Sequence, residues 1–284
     1  MAIRLKPASH RSQKPLILAW RNASRRDDSW HSTCFVLLSI GYTHACAALV
    51  DGSVYCWGRN ESGQLGTNDG MASNTPRLVP GVANVLRVAS GSAFSCAVAE
   101  GGGVWCWGNN SLSQCGFAAS GAVSPVRVTT TIKPAAFIAA GVSHACTLNV
   151  DRTASCWGNN DSAQLGFGTM SRAEAPRVVP SLGTLDGLVA NSEHTCAFRN
   201  GGSLLCWGFN ANGALGDGGA YALSPTVYAA IDEFQIVGVA AGSDYTCARS
   251  RFGTAKCWGG NGNGQLGNGD TIPQPLPVAV SNFP

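Results

Sequence analysis

The chain has 284 residues, 36 of them glycine, with 45% apolar and only 12% charged side chains and a net charge of +3. So much apolar content with so little charge excludes an intrinsically disordered chain, and glycine without a triplet period excludes collagen. No apolar run reaches the ~20 residues of a membrane-spanning helix, so a turn-rich β protein with a real core is left.

Residues 1–30 carry seven Lys or Arg against Asp27 and Asp28, a local charge of +5, whereas the remainder sums to −2. A body of that charge is no electrostatic match for nucleic acid. The apolar stretch Leu16 to Trp20 is too short for a secretory signal. An Arg-rich, acid-poor leader fits an organelle transit peptide better, and an unstructured leader is the plainer reading. We expect 1–30 to be a basic, unstructured segment and 31–284 to form one repeat domain.

The strand-like run FVLLSIG (35–41) opens the first of five copies. Cys-Trp-Gly starts at Cys56, Cys106, Cys156, Cys206 and Cys257, at intervals of 50, 50, 50 and 51 residues. A second cysteine precedes each by ten: Cys46, Cys96, Cys146, Cys196 and Cys247. Two positions before that cysteine stands an aromatic: His44, Phe94, His144, His194 or Tyr245. After Trp-Gly come an Asn-rich turn and the signature GQLG (63–66), SQCG (113–116), AQLG (163–166), GALG (213–216) or GQLG (264–267). A Pro-led, Val-rich stretch closes each copy, from Pro76–Val79 to LPVAV (276–280). Short strands punctuated by Gly, Asn and Pro account for this pattern, which has no helical period.

Within a copy, the segment HACAALVDGSVYCWG reads as a hairpin. A three-residue loop at 50–52 pairs 49 with 53, 47 with 55 and 46 with 56. Its third position needs a left-handed residue, and Gly52, Gly102, Gly202 and Gly253 supply it. The third copy has Arg152 there, so we expect a strained turn. In this register Cys46 and Cys56 fall at a non-hydrogen-bonded site with Cα atoms ~4.5–5.5 Å apart, within disulfide reach. Buried, facing, reduced thiols are the alternative. Zinc fits poorly, because each pair sits alone on its own sheet. Five such pairs favour disulfides and an oxidising compartment, although no secretory signal is visible and a cytoplasmic location stays open. Cys115 replaces a signature Leu and reads as core, and Cys34 has no partner in the repeat.

The combination G-x-x-H-x-C-A…D-G-x-V-x-C-W-G-x-N-x-x-G-Q-L-G resembles the regulator of chromosome condensation repeat family over about 35–284. Its cysteine-paired form is similar to repeats in the ectodomains of plant crinkly-type receptor kinases. The resemblance implies an all-β fold, a β-propeller of ~50-residue, four-stranded blades. The family usually has seven repeats and this chain has five. Either LPVAV completes the first sheet and closes a five-blade ring, or the blades form an open arc.

The chemistry is sparse. A slot that accepts Phe94 and Tyr245 as well as His44, His144 and His194 is a packing site first. Neither a nucleophile elbow, a phosphate loop nor a His-Glu metal motif occurs. The tryptophans Trp57, Trp107, Trp157, Trp207 and Trp258 alternate with cysteine along the strand, so they face the opposite side of the sheet and pack between blades. Asn60, Asn109 and Asn160 begin N-x-[ST] sequons, but Asn210 and Asn261 hold the slot of Asn60 without one, which favours a turn role. We expect no catalytic residue, no metal and no cofactor.

The expected function is a non-catalytic scaffold that binds a protein partner through blade-connecting loops. The resemblance also implies guanine-nucleotide exchange on a Ran-like GTPase, which uses an inserted hairpin for which the 50-residue spacing leaves no room. Extracellular ligand binding is the third reading, favoured by the cysteines.

Overall fold

The structure is a computed structural model that describes residues 35–118, 121–129, 133–199, 202–219, 223–231 and 235–281; the basic leader and Cys34 lie outside these residues. Twenty strands form five four-stranded antiparallel meanders. Blade 1 holds β1 (Phe35–Ile40), β2 (His44–Leu49), β3 (Val54–Gly58) and β4 (Ser73–Leu78). Blade 2 holds β5 (Val85–Ser90), β6 (Phe94–Ala99), β7 (Val104–Asn109) and β8 (Ala122–Arg127). Blade 3 holds β9 (Ala135–Ala140), β10 (His144–Asn149), β11 (Ala154–Asn160) and β12 (Ser171–Val178). Blade 4 holds β13 (Gly187–Asn191), β14 (His194–Phe198), β15 (Leu204–Phe209) and β16 (Leu223–Ile231). Blade 5 holds β17 (Ile236–Ala241), β18 (Tyr245–Ser250), β19 (Ala255–Gly259) and β20 (Gln274–Ala279). One sheet per repeat makes this the all-β propeller that the repeat implied.

The hairpin register is the one that a three-residue loop requires. Cys46 pairs with Cys56 and Ala47 with Tyr55, and the other four copies follow suit. The five pairs are joined as disulfides, with Cα atoms 4.1–4.2 Å apart, closer than the expected spacing. Arg152 takes the left-handed conformation at φ 68°, as Gly52 does at 81°, and its turn closes as tightly as the first. The expected irregularity is absent there because the side chain finds partners: Nε donates to the Leu185 carbonyl at 3.0 Å and the guanidinium pairs with Asp186. Among the described residues the altered turn is the second, where Gly101 and Gly102 are both left-handed.

β20 pairs with β19 inside blade 5 and β1 with β2 inside blade 1, so the last strand does not complete the first sheet. Of the two alternatives, completion of the first sheet by LPVAV is the one that the structure does not adopt. Each blade draws its four strands from one repeat, and among the described residues the substantial contacts between blades join consecutive blades only, so the repeats form an open arc. The core lies between blades, in clusters that each join the disulfide of one repeat to the tryptophan of the next.

Candidate functional site

Every joint between blades is built from the same few atoms. Trp107 Nε1 donates 2.9 Å to the carbonyl of Gln64 in the preceding repeat's signature loop. Trp157 does the same to Gln114, Trp207 to Gln164 and Trp258 to Ala214, each at 2.9 Å. All four indoles are fully buried. The glycine that ends the signature lets them in: a Cβ on Gly166 would stand 2.8 Å from Trp207 Nε1, and one on Gly216 2.6 Å from Trp258 Nε1.

A hydroxyl joins three of these joints. Ser95, Thr195 and Thr246 donate to the carbonyls of Gln64, Gln164 and Ala214 at 3.2, 2.9 and 2.9 Å. The same oxygens lie 2.8, 2.9 and 3.0 Å from Nε2 of His44, His144 and His194 in the blade before. A hydroxyl whose proton is committed to a carbonyl has only lone pairs left to offer, so each histidine presents its Nε2 proton to it. Among the described residues the Nδ1 atoms are buried without a partner. Burial lowers the His44 and His194 pKa to about 4, with Asp244 partly opposing it for His194, and lowers that of His144 to about 3 with help from His194.

The aromatic slot is thus a packing position, as expected, and also a hydrogen-bonding one. The residue just before the first cysteine was passed over in the sequence, although it alternates with the slot. His precedes a blade with Ser or Thr there, and Phe94 precedes Ala145 in a shared apolar cluster. Reading one column of the repeat against the next copy's neighbouring column is the signal that finds it.

The signature loops are rigid for a second reason. Asn60, Asn110, Asn160, Asn210 and Asn261 are fully buried. Their Oδ1 atoms accept from the backbone of Leu65, Cys115, Leu165, Leu215 and Leu266 at 2.8–3.0 Å. Two of the three sequon asparagines that follow Trp-Gly, Asn60 and Asn160, are therefore sealed inside their loops, and Asn109 caps the next turn through Ser111. Cys115 fills the Leu position as a buried thiol, which burial pushes up to about 12.

These loops and the turns at 41–43, 91–93, 141–143, 191–193 and 242–244 form one rim of the arc. Exposed apolar side chains stand on it: Tyr42 (86% exposed), Met71, Val142, Met170 and Ile272. Glu61, Asp161, Glu193 and Asp244 share it. Among the described residues no three His, Cys, Asp or Glu side chains converge as metal ligands, and no helix is long and apolar enough to cross a membrane.

The arc ends in two unmatched half-joints. Trp57 is partly exposed and its indole has no acceptor among the described residues, and Leu38 and Ile40 of the same blade are 58% and 75% exposed. At the other end Tyr245 and Cys247 are partly exposed.

Two family models, both described as the regulator of chromosome condensation (RCC1) repeat, match this chain. One covers residues 51–98, 201–249 and 256–284, the other 35–64, 85–114 and 236–265, together more than half of the chain. Blade 3 lies outside those matches, yet its joints are of the same kind. Among solved structures, yeast RCC1 (Prp20) bound to Kap60 is 22% identical, with a TM-score of 0.78 over 89% of this chain and 62% of that one. Human WBSCR16 is 22% identical with a TM-score of 0.78, over 91% of this chain and 70% of its own. Prp20p from Saccharomyces cerevisiae, described with its binding to Gsp1p and histones, is 22% identical with a TM-score of 0.75, over 88% and 64%. These likenesses establish the fold, and the chain spans less than two thirds of the yeast protein's length.

Proposed function

The chain belongs to the regulator of chromosome condensation (RCC1) repeat family, and from that premise we propose that it is a non-catalytic scaffold that holds a protein partner against its loop-bearing rim. One observation carries the reading. The side chains most capable of chemistry, three histidines and four tryptophans, are spent inside the joints. What they leave accessible is a rim of apolar and charged side chains, with Glu61 ion-paired to Arg59, on loops pinned by buried asparagines. Rigid loops on a stable frame lose little entropy on binding, which is how propellers present recognition surfaces. Placing a photo-crosslinking residue at Tyr42, and as a control at exposed Leu78 on the outer strand β4, tests this. Recovery of one defined protein from the first position only supports the reading, and equal yields from both count against it.

Guanine-nucleotide exchange on a Ran-like GTPase is the second reading, favoured by the likeness to Prp20p, a protein described as binding Gsp1p. Release of a fluorescent guanine nucleotide from such a GTPase, measured with stoichiometric amounts of this chain, separates the two. The five disulfides favour an oxidising compartment and with it an extracellular ligand as the third reading, which intact mass before and after reduction addresses.

A further inference from the structure

The three Asn-x-Ser sequons that follow Trp-Gly do not share one register. In blades 1 and 3 the sequon starts at Asn60 and Asn160, the asparagines that pin the signature loops. In blade 2 it starts one residue earlier, at Asn109, and the pinning residue Asn110 is its middle member. That step decides which amide solvent can reach. Both protons of Asn60 Nδ2 are used, towards Thr67 Oγ1 at 3.1 Å and Asp69 Oδ1 at 3.0 Å. Asn160 Nδ2 donates to the Thr169 carbonyl at 2.8 Å and to Ser171 Oγ at 3.4 Å, and both side chains are fully buried. A bulky substituent on either nitrogen would break those bonds and open the loop around them.

Asn109 is placed differently. It is partly exposed, Ser111 is exposed, and the Asn109 amide is engaged through its oxygen, with Oδ1 accepting from Ser111 N at 2.9 Å. Among the described residues its Nδ2 has no acceptor. The column of the repeat sets this geometry. Asn159, one residue before the pinning asparagine of blade 3, is also partly exposed and accepts from Asp161 N at 2.7 Å, in a loop described throughout. The surroundings agree. Each other blade puts an exposed large apolar or an acidic side chain on the loop rim, among them Tyr42, Val142, Glu193 and Ile272. The rim segments of blade 2, 91–93 and 110–121, hold no charged residue and, among those described, no exposed large apolar one.

We propose that Asn109 is the N-glycosylation acceptor of the repeat domain. The proposal rests on the oxidising-compartment reading of the five disulfides, since oligosaccharide transfer belongs to the same secretory route. In the transfer Asn109 Nδ2 attacks the anomeric carbon of a lipid-diphosphate-linked oligosaccharide. The bond from that carbon to the diphosphate oxygen breaks, the lipid diphosphate leaves as the anion, and Nδ2 gives up one of its two protons. Oδ1 keeps its bond to Ser111 N, so the turn survives the modification. The glycan covers the polar sector of the rim and leaves Tyr42 and Val142, on the blades to either side, to a protein partner.

The experiment secretes the whole chain from a eukaryotic host behind a cleavable signal peptide. Asn22→Gln removes the sequon Asn22-Ala23-Ser24, which lies outside the described residues. Peptide masses of the folded, secreted protein are compared before and after enzymatic glycan release, which turns a glycan-bearing asparagine into aspartate. Asn109 should carry the glycan, and Asn60 and Asn160 none. A bare Asn109, or a glycan on Asn60 or Asn160, overturns the assignment. Ser111→Ala should abolish the glycan, and its persistence on Asn109 counts against the sequon. Asp161→Ser gives the exposed column of blade 3 a sequon of its own, so Asn159 should gain a glycan while Asn160 stays bare. No gain at Asn159 removes the argument from the column. In protein isolated from its own cells, formed disulfides with a bare Asn109 overturn the proposal alone, whereas free cysteines overturn the compartment reading and the proposal with it.

Discussion

Phe94 shares an apolar cluster with Ala145 at the one joint where, among the described residues, no hydroxyl bridges the blades, whereas His144 meets Thr195 one joint further on. The two arrangements are alternative solutions to one packing problem. His144→Phe alone should cost about 1–2 kcal/mol, because Thr195 loses a donor in a buried setting. Adding Thr195→Ala, which copies the Phe94–Ala145 pair, should recover at least half of that loss. Urea unfolding of the two single variants and the double variant gives the coupling, and strict additivity would mean that the two sites are independent.

Stability should fall with acid. The three histidines titrate near 6.5 when unfolded and at about 4, 3 and 4 when folded. Above pH 6.5 both states hold them neutral. Below it the unfolded chain takes up protons that the folded one refuses, so the stabilisation is lost as pH falls from 6.5 towards 4. At pH 5 each contributes a loss of about 2 kcal/mol. Urea midpoints at pH 7.5 and pH 5 should differ accordingly, and His144→Phe should shrink the difference by about a third.

The tryptophans divide by position. Trp157→Phe keeps a ring in the joint but leaves the Gln114 carbonyl without its donor, and should destabilise by about 1–3 kcal/mol. Trp57→Phe removes an N–H that has no acceptor among the described residues and should fall within about 0.5 kcal/mol of the parent. Equal losses at both positions would show that the indole hydrogen bond does not hold the joint.

Trypsin should act first on the leader. Residues 1–30 share no feature of the repeat, and Arg21, Arg25 and Arg26 offer cleavage sites. We expect a resistant core starting near 31–40, read by N-terminal sequencing, and retention of Arg21 to Arg26 in that core would assign the segment to the folded domain.

Contacts local to a blade were legible. The ten-residue step from Cys46 to Cys56 and the glycine at 52 together allow a single hairpin register, and the structure adopts it. Contacts between blades were harder to read, since Trp107 reaches back 43 residues to Gln64 and His44 forward 51 to Ser95. Periodicity marks those positions as special without saying which column meets which. Arg152 misled for a related reason: the cost of its left-handed backbone is visible in the hairpin, but the Leu185 carbonyl that compensates it belongs to a distant connection. The choice between ring and arc rested on whether blade 5 meets blade 1, which no residue pattern within one copy specifies.

Joints of one kind in series give the domain the thermodynamics of a linear array, in which each blade is stabilised by itself and by its nearest neighbours. Among the described residues, blades 2, 3 and 4 each have two neighbours and blades 1 and 5 have one. Unfolding should then begin by fraying at either end, and amide exchange should be slowest in β10 and β11 and faster towards both termini. A substitution in the joint between blades 2 and 3 would split the array into two shorter ones, so its effect on cooperativity should exceed that of the same change in the joint between blades 4 and 5.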